Sequence, residues 1–300
     1  MGILNHPSDG LYSMVPVLYR TLARLGPTER QVLVDLCSAG LGRDGGNPKI
    51  PDALTRWVQL GLFEEVDGTV AIAPGLLPAG AKDDVALTEA ARRAVLSILF
   101  SATNNEDLWG TGGASDLVRG LAWWLALDPY RTDMRTLSLI ALQSQQVKDA
   151  ARLIVQNDVR MNQLGPWAQF LGFAWSLPHG IVLDPTQAIN RVLDSVLPLN
   201  QEVVAADFLR DLANVLPVLD GGIYRRAVEE ELRPEVWAGT PNGWVSQALG
   251  IALRRLENLN RISFVQRADA GDGVQIPGPD GTSQRSMVQF THVIREEVKQ

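Results

Sequence analysis

Residues Gly243–Ile276 (GWVSQALGIALRRLENLNRISFVQRADAGDGVQI) constrain this chain most strongly. Val245, Leu249, Ala252 and Leu256 recur at spacings of four, three and four, which is one face of a 3.6-residue period. The spacing predicts a helix over Gly243–Leu256 that ends near Asn258–Asn260. Ile262, Phe264 and Gln266 then alternate with Ser263 and Val265. Asp269-Ala-Gly-Asp-Gly273 is a turn composition, and Val274–Ile276 reads as a second short strand. Helix, break and β-hairpin in that order end a winged helix-turn-helix unit.

The same grammar appears near the other end, in Lys49–Ile72 (KIPDALTRWVQLGLFEEVDGTVAI). Pro51 suits a first helical turn, where its missing N–H has no partner to lose. Leu54, Trp57 and Val58 form an apolar stripe, and Gly61 stands where a helix stops. Asp67-Gly68, between Phe63–Val66 and Thr69–Ile72, is a strong two-residue hairpin signal. Upstream, Met14–Leu25 and Glu29–Ser38 read as two helices, with Thr28 as an N-cap of the second. A loop with four glycines joins the second to the third.

Between these ends, Ala86–Phe100, Asp116–Leu127, Thr136–Leu142, Val147–Val155, Pro166–Trp175 and Pro185–Leu197 read as helices, and no strand stands out. Val203–Leu216 and Ile223–Leu232 supply two further helices before the one at 243. The expected fold is mainly α with small β-hairpins, two winged helix-turn-helix domains flanking an all-helical middle. The expected domains are residues 1–80, 81–200 and 201–300. Ser286–Ile294 is a candidate third strand for the last of them.

The charge balance is acidic, with 27 Lys and Arg against 34 Asp and Glu. That excludes a chain coated for non-specific nucleic-acid binding but leaves room for a local basic patch. One cysteine, Cys37, excludes a disulfide framework or a cysteine-rich zinc site. Its setting in LVDLCSAG favours a small buried side chain. The first residues lack a signal peptide's basic start and apolar run, and no apolar stretch approaches the ~20 residues that span a bilayer. A cytoplasmic protein with no membrane contact is expected.

No catalytic constellation stands out in the sequence. WGTGGAS (Trp109–Ser115) fits neither phosphate-loop pattern and reads as a turn, with Ser115 capping the next helix. His6, His179 and His292 share no metal-ligand spacing with one another or with Cys37. Glu297-Val-Lys299 has a nuclease-like spacing without a preceding carboxylate hairpin. Trp123, Trp124, Trp167 and Trp175 read as core. No enzyme activity, metal or cofactor is expected.

The basic residues of the last unit carry the functional expectation. Arg254 and Arg255 fall on its third helix, Arg261 opens the hairpin and Arg267 lies near its tip. A winged helix docks its third helix in the major groove and lets the wing touch the backbone. Ser246 and Gln247, near the helix start, are placed to read base edges. The expected DNA-binding set is Ser246, Gln247, Arg254, Arg255, Arg261 and Arg267, with duplex DNA as partner. The N-terminal unit is the poorer candidate, because Asp52, Glu64, Glu65 and Asp67 would face phosphates. A winged helix can equally dock a protein, so a scaffold or adaptor that never touches DNA is the alternative.

The runs ADFLRDLANVLPVLDGGIYRRAVEEEL (Ala206–Leu232) and VSQALGIALRRLENLNRISF (Val245–Phe264), with LGFAW and LDPTQAI in the middle, resemble the DpdG proteins. These belong to bacterial Dpd clusters, which place 7-deazaguanine derivatives in DNA and carry a restriction arm against unmodified DNA. The resemblance implies a DNA-modification or antiviral-defence setting, a winged-helix character, and partners among the cluster's helicase and nuclease subunits. It brings no active-site residues.

Overall fold

The structure is a computed structural model that describes residues 2–5, 11–38, 49–81, 83–178, 180–269, 271, 273–279 and 288–295. His6, His179 and the Glu297–Lys299 motif lie outside those residues. The described chain is mixed α/β, about 52% helical, with small antiparallel sheets.

The N-terminal unit runs α1 (Leu11–Leu25), β1 (Thr28–Glu29), α2 (Arg30–Ser38), α3 (Lys49–Leu60), β2 (Phe63–Val66) and β3 (Thr69–Ile72). Helix α1 buries Leu11, Val15, Leu18, Tyr19 and Leu22, and α3 buries Ile50, Ala53, Leu54, Trp57 and Leu60. Each set is one stripe at helical spacing, and the two helices pack on each other through it. Asp67 and Gly68 both take positive φ, 50° and 75°. That is the backbone a two-residue turn needs to match the strand twist, so β2 and β3 pair as the sequence predicts. Thr28 is not an N-cap. It enters β1 opposite Val70, completing a three-stranded sheet in the order β1-β3-β2.

The middle is organised around α5 (Ser115–Ala126), buried on every side from Ser115 to Leu125. A helix buried all round belongs in a core, and its charged members Asp116 and Arg119 are tolerated there because they bond to backbone N–H and C=O groups. With it come α4 (Asp84–Leu99), α6 (Thr136–Gln146) and α7 (Asp158–Leu171); α7 packs on α5, and Gln146 of α6 accepts from Trp123 Nε1. Asp83 caps α4 by accepting from Val85 N and Ala86 N. Ile3 and Leu4, almost fully buried, insert beside α5, and their backbone N–H groups donate to Asp116 at 2.9 Å each. Ser115 is the first residue of α5 rather than its cap.

The middle is not all-helical. Strands β4 (Ala174–Leu177) and β5 (Gly180–Leu183) form an antiparallel hairpin after α7 ends at Gly172. Its residues carry an apolar period too short to separate from a helix end by pattern alone. The expected helix at Val147–Val155 is also absent. Val147 bridges Leu232, and a short 3-10 turn spans Ala150–Arg152.

The last part runs α8 (Thr186–Val196), β6 (Glu202–Val204), α9 (Ala205–Val215), α10 (Ile223–Glu229), α11 (Gln247–Asn258), β7 (Ile262–Val265), β8 (Val274–Ile276), β9 (Val288–Phe290) and β10 (His292–Arg295). Its main sheet has the order β6-β10-β7, all antiparallel. The order helix, strand, helix, helix, strand, strand of the N-terminal unit therefore recurs in α8, β6, α9, α11, β7 and β10, with α10 and β8–β9 added. Helix α8 packs on both α9 and α11, while α10 packs on α5. The hairpin expected over 262–276 does not form. Strand β7 pairs with β10, and β8 pairs with β9. One buried apolar cluster runs continuously from Ile3 to Val293.

Candidate functional site

The residues expected to meet DNA lie on and around α11. Ser246 is the N-cap of that helix: its Oγ accepts from Leu249 N at 3.3 Å, and its own N–H donates to Asp220. It is 8% exposed, so it lies in the interior and not on the outer face of the helix. Gln247 is half-buried and donates from Nε2 to Gly278 O at 2.9 Å. Arg254, two turns on, reaches Ile276 O and Pro277 O, both at 3.3 Å.

Between those two residues stands Gly250. A methyl group there would come within 2.9 Å of the Ile276 side chain and 3.4 Å of Pro277. The line Gln247, Gly250, Arg254 is thus the seam along which residues 276–278 lie on α11. Strand β8 is fixed in that place by Val245 N donating to Gln275 O at 3.0 Å and Gln275 N donating to Gly243 O at 2.8 Å. Glu257, on the same helix, has its pKa raised by burial, with Arg254 working against the rise.

Arg255 extends to the other side. Its guanidinium pairs with Asp184, whose side chain is fully buried, and sits 5.5 Å from the Trp175 ring centroid. Trp175 is 39% exposed on β4, so it is not the core residue the sequence suggests; its ring lies under Arg255 at the surface. Asp184 also accepts from Trp175 Nε1 at 2.9 Å, from Thr186 N at 3.0 Å, and from the Thr186 hydroxyl. One carboxylate therefore ties α11, β4 and the start of α8. Arg267 makes a two-pronged pair with Glu202, Nε at 2.9 Å and Nη2 at 2.6 Å. That hydrogen bond lowers the Glu202 pKa and raises that of Arg267. Arg261 is half-buried, with a buried Nε that has no hydrogen-bond partner.

The basic cluster read from sequence is dispersed in three dimensions. Arg255 and Arg267 have carboxylate partners and Arg254 has carbonyl partners. Arg225 is wholly buried, between Glu229 at 2.5 Å and Asp220 at 3.5 Å. Sequence reasoning missed Asp184, Trp175, Glu202 and Asp220 as the partners of these arginines. For Asp184 a local signal exists, since an Asp two residues before a Thr at a helix start is a side-chain-to-backbone cap.

At the N-terminal unit, Asp52, Thr55 and Gln59 are exposed on α3, and Glu64, Glu65 and Asp67 are exposed on its hairpin. Arg30 is drawn into this face, pairing with Glu65 at 2.6 Å and with the Thr55 hydroxyl. The glycine-rich WGTGGAS turn is held by Arg119, 1% exposed, which donates to Leu108 O, Gly110 O and Ile154 O. Carbonyls of that turn point at a cation, the reverse of a phosphate cradle. No group of His, Cys, Asp and Glu placed to hold a metal occurs among the described residues. No helix among them is long and apolar enough to cross a membrane.

The molecule so described is a mixed α/β protein whose arginines mostly bind its own carboxylates and carbonyls. The DpdG-like family model matches residues 1–270, and the chain belongs to that family. Membership points to a role in the Dpd modification system. No curated protein and no solved structure matches the chain.

Proposed function

We propose that the chain is a non-catalytic adaptor of the Dpd system, built on two winged-helix modules, that docks other proteins of the system. The recurring order helix, strand, helix, helix, strand, strand, with sheets ordered first-third-second, supports two such modules. Helix α3 and helix α11 are then the third helices, the elements that enter a groove in DNA-reading members of this architecture.

The observation that carries the reading is the seam on α11. Base readout needs an open helix face, and here residues 276–278 lie on it, bonded to Gln247 and Arg254. On α3 the open face is acidic at its edge and would repel phosphates. An acidic, partly apolar surface suits protein contact, and helicase and nuclease subunits of the system are the partners the family setting offers.

Co-expression with those subunits, followed by size-exclusion chromatography with mass measurement, tests the proposal. A stable complex that survives nuclease treatment is expected. Failure to form any complex, together with duplex-DNA binding that Gln247→Ala and Arg254→Ala abolish, would return the function to DNA reading.

A further inference from the structure

A groove of about 370 Å³ opens between α4, α7, β4 and α8. Arg92, Gln169, Ser176, Gln187 and Arg191 line it with polar groups, and Trp175 supplies an apolar wall. Apart from backbone, nearly every polar group there can donate a hydrogen bond, and two carry full positive charge.

The charges are under-compensated. Glu89 is the carboxylate shared by both guanidiniums, pairing with Arg191 Nε at 2.9 Å and with Arg92. Its pKa is lowered overall: burial pushes it up, and the two arginines more than reverse that. Arg191 is only 9% exposed, its charge disfavoured first by burial and further by Arg92 and Arg93 nearby. Its Nη1 donates to Leu171 O at 2.7 Å, and Nη2 has no protein partner among the described residues. Arg92 Nε is buried with no hydrogen-bond partner. Gln187 stands in the first turn of α8, where Thr186 N already donates to Asp184, Ala188 N to Gly172 O and Ile189 N to Pro185 O, so its contribution to the groove is its side-chain amide.

We propose that this groove binds a phosphate-type oxyanion, held between Arg92, Arg191 and the Gln187 side-chain amide, with the rest of the ligand against Trp175. Two guanidiniums beside a side-chain amide are a donor set that suits tetrahedral oxyanions, which offer acceptors on every side. The phosphate can come from a small phosphorylated compound or from the end of a polynucleotide. The proposal is independent of the docking reading and would survive its loss.

Calorimetric titration of the purified full chain tests it, with inorganic phosphate, a nucleoside 5′-monophosphate and a short 5′-phosphorylated oligonucleotide as probes. Saturable binding is expected with a dissociation constant on the order of 1 mM or tighter. Arg92→Met should weaken it about tenfold, the loss of one charged hydrogen-bonding group, and Gln187→Ala should weaken it less. Circular dichroism checks that both variants fold. Oligonucleotide that competes with phosphate identifies the polynucleotide source, and phosphate bound without such competition identifies the small compound. Absence of saturable heat with all three probes overturns the proposal. So does binding of equal strength in wild type and both folded variants.

Discussion

Replacing Asp184 by Ala strikes the point where α11, the β4–β5 hairpin and α8 meet. The carboxylate is fully buried and accepts from Trp175 Nε1, Thr186 N, the Thr186 hydroxyl and Arg255. Each buried donor left without a partner costs about 1 kcal/mol or somewhat more, so the three neutral donors account for about 3 kcal/mol. Arg255 adds little, because it is half-exposed and can turn its charge to water. The expected loss for Asp184→Ala is therefore about 3–4 kcal/mol. Arg255→Ala leaves Asp184 with three donors and removes one charged bond and one cation–π contact, for about 1–2 kcal/mol. Urea unfolding followed by tryptophan fluorescence reads both. Because Trp175 lies in the network, its emission should change before the global transition in the Asp184 variant. Equal effects of the two substitutions, or an Asp184→Ala effect below about 1 kcal/mol, would refute the claim that Asp184 is the organising group and Arg255 its subordinate.

Gly250→Ala pushes a methyl group toward Ile276 and Pro277 and should cost about 1–3 kcal/mol, read as a lower melting temperature with faster amide exchange at Gln275. Asp116→Ala removes the acceptor for Ile3 N and Leu4 N; limited proteolysis should then cut the first residues faster than in wild type, and an unchanged rate would contradict the anchoring role. Tyr19, with its pKa pushed up to about 12 by burial, is neutral in the fold where an unfolded phenol would ionise near its ordinary value. A raised folded value stabilises fully below the unfolded pKa and is lost as pH rises through the folded one, so stability should fall between about pH 10 and 12. Tyr19→Phe should flatten that fall, as measured by melting temperature against pH. Cys37 is buried and its thiol pKa is raised by burial, with the Thr21 hydrogen bond opposing, so it should react with a disulfide reagent only on unfolding.

Local chemistry was legible from residues alone. Asp67-Gly68 specified its hairpin because a two-residue turn of that type depends only on two backbone conformations. Helices α3 and α11 were readable because Leu54 with Trp57, and Leu249, Ala252 and Leu256, fall on single stripes. Pairings set at long range were not. Strand β7 finds β10 across 26 residues, and nothing in Ile262–Val265 says that Val274–Ile276 will pair elsewhere. Strand β6 is three residues long and was absorbed into the helix that follows it. The site was misread for a related physical reason. Arginine spacing along a chain counts charges but does not see Asp184, 71 positions from Arg255, or Glu202, 65 positions from Arg267. A sequence-level basic patch is a statement about supply, and partners fixed by the fold decide how much of it remains open.

Fluorescence anisotropy of labelled duplex DNA, titrated with the purified protein over a salt series, tests the central claim that α11 does not read DNA. The account predicts weak or no saturation at physiological salt, and any residual low-salt binding unchanged in a well-folded Gln247→Ala, Arg254→Ala double variant. Binding with a log–log salt slope of about −2 to −4, lost in that double variant, would contradict it.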